Sequence, residues 1–178
     1  MNKAYLMGLI YGDGSVYFRH KYKDYTLEIE QKSKNFLKLV SRSIEKLYKK
    51  KGKISFHSGL WRLRVYSKKV YQEFIDVKKD PLKIFSKLTK KERFNFISGL
   101  IDAEGNVSEK RIRISNSHKQ LLSEIRNFLE SEGIKCGRIY PNTPKRKVWT
   151  LSIYGKNVRK LKKKVCLFHP KKRLHLGL

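Results

Sequence analysis

Asp13 and Glu104 are the two residues whose type and placement point most directly to chemistry. They occupy the same position in a nine-residue block that occurs twice. The first copy reads Leu6-Met7-Gly8-Leu9-Ile10-Tyr11-Gly12-Asp13-Gly14. The second, 91 residues later, reads Ile97-Ser98-Gly99-Leu100-Ile101-Asp102-Ala103-Glu104-Gly105. Each block reads as the end of a helix, with the acid in the last turn and a glycine next, where helices commonly stop. A carboxylate there opposes the negative end of the helix dipole. If the two helices lie side by side, two carboxylates share one small volume, and without a counter-ion one of them keeps its proton. A hard divalent cation relieves that conflict, and oxygen donors suit Mg²⁺ or Mn²⁺.

Side-by-side packing is what the rest of the block predicts. Gly8 and Gly12 are four residues apart, as are Gly99 and Ala103, so each pair lies on one helix face. Side chains this small let two helix backbones approach closely. The apolar residues beside them (Leu6, Leu9, Ile10 and Ile97, Leu100, Ile101) are left to bury into their own halves of the molecule.

The elements around the blocks also repeat. Asn2 reads as the cap of the first helix. Ser15–Tyr22 and Tyr25–Gln31 read as strands, Ser33–Lys49 as an amphipathic helix, and Lys53–Phe56 with Leu60–Tyr66 as a hairpin around Ser58-Gly59. A short helix from Lys68 to about Asp76 follows. Sliding the sequence by 85 places Ile29 on Ile114, Gln31 on Asn116, Val40 on Ile125 and Gly52 on Gly137. After three extra residues around Pro141–Pro144, Trp61 meets Trp149, Leu63 meets Leu151 and Lys68 meets Lys156. The expected fold is α+β, a tandem pseudo-two-fold duplication of an αββαββα unit with two antiparallel sheets. The first repeat covers 1–76 and the second 89–165, where Thr89 and Glu92 form a capping box. Residues 77–88 have no twin and read as a linker, and 166–178 as a basic tail, partly disordered or draped on the surface.

Period-two patterning puts apolar strand residues toward the helices and leaves the alternate ones outside. In repeat one these include Arg19, Lys21, Glu28, Arg62 and Arg64. In repeat two they include Arg111, Arg113, Arg138 and Tyr140. Such a face offers the donors and acceptors that read base edges, Arg toward guanine and Glu toward the cytosine amino group. The composition agrees: 43 Lys and Arg against 15 acids give a formal charge of +28, a self-repulsion that a polyanion would relieve. No stretch approaches the roughly 20 apolar residues of a membrane span. Cys136 and Cys166 have no metal spacing, fitting a reducing, intracellular setting in cytoplasm, nucleoid or organelle. There is no phosphate-binding glycine loop, so nothing points to ATP.

The doubled block resembles the signature of the LAGLIDADG homing endonucleases, in the form in which one chain carries both motifs. The acid at the eighth motif position, here Asp13 and Glu104, is the family's active-site residue. The sixth position departs from the pattern in copy one, where Tyr11 stands against Asp102. The resemblance implies two sheets forming a saddle over double-stranded DNA, with the motif helices beneath the scissile phosphates. It implies backbone carbonyls of Gly12 and Ala103 as further metal ligands. It also implies Gln31, with Asn116 as its partner, ordering water, and Lys68 and Lys156 stabilising charge. The activity expected is metal-dependent cleavage of a long, asymmetric site by a monomer. Its rivals are an intron RNA maturase and a catalytically inactive DNA-binding regulator on the same fold.

Overall fold

The computed structural model describes residues 1–143 and 146–177. The first repeat runs α1 (Lys3–Asp13), β1 (Gly14–Arg19), β2 (Asp24–Gln31), α2 (Lys34–Tyr48), β3 (Lys53–His57), β4 (Leu60–Tyr66) and α3 (Lys68–Lys79). After α4 (Pro81–Lys87) the order returns as α5 (Lys90–Glu104), β5 (Gly105–Ser108), β6 (Arg111–Asn116), α6 (Lys119–Ser131), β7 (Tyr140–Thr143), β8 (Arg146–Tyr154) and α7 (Lys156–Lys162). A further helix, α8 (Pro170–Leu176), closes the chain's described part. Pro144, in the longer hairpin of repeat two, lies outside the described residues.

The two sheets share one topology, β1-β2-β4-β3 and β5-β6-β8-β7, all antiparallel. Their inner faces carry Leu27, Ile29, Leu63 and Val65 in one and Ile112, Ile114, Leu151 and Ile153 in the other, all buried. Between the halves lie α1 and α5. Neither has a polar stripe along its motif: every residue from Ala4 to Ile10 is buried, as is every one from Phe96 to Asp102. A helix buried all round belongs at the centre of a fold. The caps are those the sequence supplies, with the Asn2 side chain accepting from the Tyr5 N–H at 2.9 Å and Thr89 and Glu92 closing a reciprocal box. In the β3–β4 turn, Ser58 (φ 50°) and Gly59 (φ 82°) take the pair of left-handed conformations that a tight hairpin needs.

Residues 77–88, expected as a linker, are largely helical: α3 continues to Lys79, and Asp80-Pro81 is a helix start. Asp80 accepts from the Lys83 N–H at 3.0 Å, and proline takes the first helical turn, where its missing N–H costs nothing. Phe85 of α4 is fully buried, edge-on to Phe96 and Phe128. The C-terminal segment lies largely exposed on the surface, held there by the buried Leu167 and Leu176 and by Phe168, which packs edge-on to Tyr5 at 5.0 Å. Finally, Lys21 sits in a short helical turn, His20–Tyr22, rather than on a strand, and Arg138 precedes β7.

Candidate active site

The close approach of α1 and α5 is backbone to backbone. A Cβ at Gly8 would stand 2.0 Å from the Phe96 carbonyl oxygen, and one at Gly99 would stand 2.0 Å from that of Tyr5. One turn on, a Cβ at Gly12 would meet the Ala103 Cβ at 2.4 Å and Glu104 Cγ at 3.0 Å. The glycines therefore set the separation of the helices, and the helices set the separation of the acids. Gly14 and Gly105 follow the acids for a different reason than a left-handed cap. Both are extended, and the chain turns so sharply into β1 and β5 that a Cβ would strike the Ile10 or the Ile101 carbonyl oxygen, at 2.7 and 2.4 Å.

Asp13 and Glu104 thus end the two helices side by side. Burial, and next the Glu104 charge, push the Asp13 carboxyl up to about 6, against the pull of Lys172, a hydrogen bond from Gln31 and Lys78. Glu104 is the more exposed of the two. Its carboxyl is also raised by desolvation, with Lys172 and Lys78 opposing. Gln31, at the end of β2, donates its amide to Asp13. Its counterpart Asn116 does not reach Glu104 in the same way. Its side-chain oxygen instead accepts from Tyr11 Oη at 3.0 Å and from the His118 N–H at 2.9 Å. The shorter amide and the tyrosine at the sixth motif position together make the two halves of the site unequal.

The lysines at the site are Lys78 and Lys172. Lys78 Nζ donates to the Tyr11 carbonyl at 2.8 Å, and Lys172 Nζ to those of Ile101, Asp102 and Ala103 at 2.8, 2.7 and 3.1 Å. Each brings a donor to carbonyls at a helix end and neutralises that end's negative dipole. Burial lowers both ammonium groups, and the neighbouring acids hold them up. Lys68 and Lys156 lie elsewhere. Lys68 opens α3 ten residues before Lys78, about 15 Å along the helix, with its Nζ 5.8 Å over the Tyr25 ring. Lys156 opens α7 beside the β5–β6 turn, where the Gly155 N–H meets the Lys110 carbonyl, and β5 carries the chain about 13 Å from Glu104 to reach that turn. Aligning the repeats does not point to the lysines at the helix ends because Lys78 and Lys172 are 94 residues apart, in neither the 85- nor the 88-residue register of the repeat.

Asp102, 1% exposed, is turned into the core rather than toward the helix ends. Its Oδ2 accepts from Tyr5 Oη at 2.5 Å and from the N–H groups of Phe168 and His169 at 2.7 and 3.2 Å. Among the described residues no cluster of three or more His, Cys, Asp or Glu side chains could hold a metal. The donor set at the helix ends is two raised carboxylates and nearby carbonyls. It fits a hard cation that completes its shell from water and from a ligand's oxygens, although the Ala103 carbonyl is already engaged by Lys172. A cavity of 480 Å³ between Ser108–Lys110 and Leu174–His175 lies off this centre. Glu104 is exposed and Asp13 half-buried, which suits a long ligand lying across the helix ends.

The raised Asp13 has a consequence for stability. A carboxyl whose folded value is about 6 against 3.8 ordinarily favours the folded state when protonated, and that advantage is lost as pH rises through 6. Asp13→Asn is expected to raise the melting temperature of the metal-free protein at about pH 8, with the gain shrinking toward about pH 4. Calorimetry across pH checks the sign.

Flanking the centre, the two sheets carry unlike outer faces. On the first, Arg64 pairs with Glu28, Arg62 with Glu30 and with Glu28 at 3.5 Å, and Arg19 with Asp24 at 2.5 Å. Tyr17 Oη also donates to Glu28 at 3.2 Å. On the second, among the described residues, Arg113 reaches only Asn106 at 3.4 Å, Ser115 pairs with Thr150 and Tyr140 with Ser152. Arg111 and Arg138 are exposed there, and no acid stands among these residues. Thr26, Thr150 and Ser152 are on these faces but buried under their neighbours.

Known proteins share this arrangement. A model of the LAGLIDADG-like domain matches residues 1–77 and again 91–166. The chain is 36% identical over 161 residues to the homing endonuclease I-DmoI of Desulfurococcus mucosus, an alignment covering 84% of this chain and 79% of that protein. A crystal structure of I-DmoI in complex with DNA and Mn superposes with a TM-score of 0.78 at 33% identity, over 91% of this chain and 94% of that one. The fold alone is shared with the LAGLIDADG meganuclease I-AabMI bound to uncleaved DNA, at a TM-score of 0.66 and 14% identity over 99% and 88% of the two chains. With both repeats matched and the paired acids at the crossing of the two motif helices, the chain belongs to the LAGLIDADG family.

Proposed function

We propose that the protein is a site-specific endonuclease that hydrolyses both strands of a long, asymmetric double-stranded DNA target with a divalent metal, acting as a monomer. One observation carries this reading: two carboxylates at touching helix ends, with a half-buried lysine at each end, flanked by two arginine-bearing sheets. A regulator without catalysis would not require both acids, the Gln31 contact and both lysines to be in place.

Asp13 and Glu104 would hold Mg²⁺ or Mn²⁺, with the Gly12 carbonyl as a further donor. When bound, such an ion activates water and neutralises charge on the leaving oxygen. The chain's own residues do the rest. Gln31 orients the Asp13 carboxylate and, with its carbonyl end, a water near the phosphate. Lys78 and Lys172 bring positive charge to the place where the phosphate gains negative charge in the transition state. Incubating the purified chain and Mg²⁺ with a randomised plasmid library tests this. One enriched long site with unlike halves, cut only without chelator, is the expected result. Uniform degradation, or no enriched cut, overturns it.

The sheet faces carry the reading of sequence. Arg64→Ala is expected to relax preference at one base pair by about 1–3 kcal/mol, if the contact is bidentate. Because Arg64 also holds Glu28, the double variant Arg64→Ala/Glu28→Gln should lose less than the two single losses added. Competition between the target and single-base variants measures both. Equal loss on target and random DNA would mean this face does not read bases.

A further inference from the structure

Lys78 and Lys172 stand at matching helix ends but arrive by different routes. Lys78 belongs to α3, one unbroken helix that begins next to β4. Lys172 belongs to α8, separated from α7 by the segment between Lys162 and Pro170. That segment is tied down by α5. The Cys166 N–H donates to Ser98 Oγ at 3.0 Å, and the Phe168 and His169 N–H groups both donate to Asp102 Oδ2. Tyr5 donates to the same oxygen from α1 and packs its ring on Phe168, while His169 packs on Phe36 of repeat one at 5.2 Å.

Among the described residues, repeat one has no such device. The position matching Asp102 is Tyr11, which is turned to Asn116, and the position matching Tyr5 is Phe96, which has no hydroxyl. A buried carboxylate is costly unless its hydrogen bonds are made. Asp102 makes three of them with Oδ2, two of them to a segment 66 and 67 residues away, while its buried Oδ1 has no partner among the described residues. Its burial leaves it no access to a phosphate, so catalysis does not explain the acid; the segment it grips does.

Resting on the endonuclease reading above, we propose that Asp102 is a positioning residue. With Tyr5 it latches the 163–177 segment so that Lys172 sits at the end of α5, and cutting of one DNA strand depends on that latch while cutting of the other does not. The sixth motif acid thus works through Lys172, and the two strand cuts are separately controlled.

The test uses the full chain on supercoiled plasmid carrying the target. Asp102→Ala and Lys172→Met should accumulate nicked circles broken in the same strand, the other cut slowing by about 100-fold. Lys78→Met should spare the opposite strand. Asp102→Asn, whose side-chain oxygen still accepts from the same three donors, should keep both cuts. A second readout needs no cleavage. In metal-free protein, hydrogen exchange at the Phe168 and His169 amides should be slow in wild type and Asp102→Asn, and fast in Asp102→Ala. Tyr5→Phe gives an intermediate exchange rate, should Asp102→Ala fail to fold. Equal slowing of both strands, an unchanged strand ratio, or unchanged amide exchange in Asp102→Ala and Tyr5→Phe overturns the latch. If wild type cuts no DNA, the endonuclease reading fails while the exchange measurement still judges whether Asp102 holds the segment.

Discussion

Asp13→Asn and Glu104→Gln are each expected to slow double-strand cleavage by about 100-fold to 1,000-fold or more, while specific DNA remains bound. Both substitutions keep the shape of the side chain and remove its charge. The amide oxygen introduced by Asp13→Asn could still accept from Gln31, so the local structure has little reason to move. What is lost is the anionic donor for the cation. Base reading is expected to persist because it belongs to the strands on either side. The Asp13 variant carries a second signature: it should melt at higher temperature than wild type above pH 6, since it no longer holds a charge against burial and Glu104. Activity lost and stability gained together would mark the acid as kept for function at a cost to the fold. Cleavage assays, binding titrations and melting curves on the same preparations separate the outcomes. Normal cleavage by either variant would remove both acids from the mechanism.

The sequence made the two-fold architecture and the acid pair legible because both rest on short-range rules repeated twice. The capping box at Thr89, the small residues at Gly8, Gly12, Gly99 and Ala103, and the alternation of Leu27 and Ile29 are local signals, and the duplication reinforces the motif and strand signals by their twins. What stayed hidden came from elements without a twin. Asp80-Pro81 reads equally as a turn or as a helix start, and the burial of Phe85, a tertiary fact, decides for the helix. The lysines at the helix ends were missed because symmetry of position there is not symmetry of register in the chain, so aligning the repeats led to Lys68 and Lys156 rather than Lys78 and Lys172. Asp102 stands two residues before Glu104 in sequence, yet a helix turns successive residues about 100° apart. It therefore points into the core and Glu104 does not.

Gly8→Ala and Gly99→Ala test the packing on which the acid pair depends. In an ordinary helix this change gains about 1 kcal/mol from helix propensity. Here the added methyl would stand 2.0 Å from a backbone carbonyl oxygen of the facing helix, an atom that cannot rotate away. Overpacking costs about 1–3 kcal/mol where neighbours can adjust and more where backbone must move, so the clash outweighs the propensity. Both variants are expected to melt well below wild type and to cut poorly, because the helices must separate and carry Asp13 away from Glu104. Gly12→Ala differs, since its methyl meets the Ala103 side chain and Glu104 Cγ. It should displace the acid more than it destabilises the fold. Moving the methyl from one helix to the other, in Gly12→Ala/Ala103→Gly, restores the space and should recover much of the lost cleavage. If the single Gly12 variant cuts normally, or the exchange recovers nothing, contact at that turn does not set the spacing of the two acids.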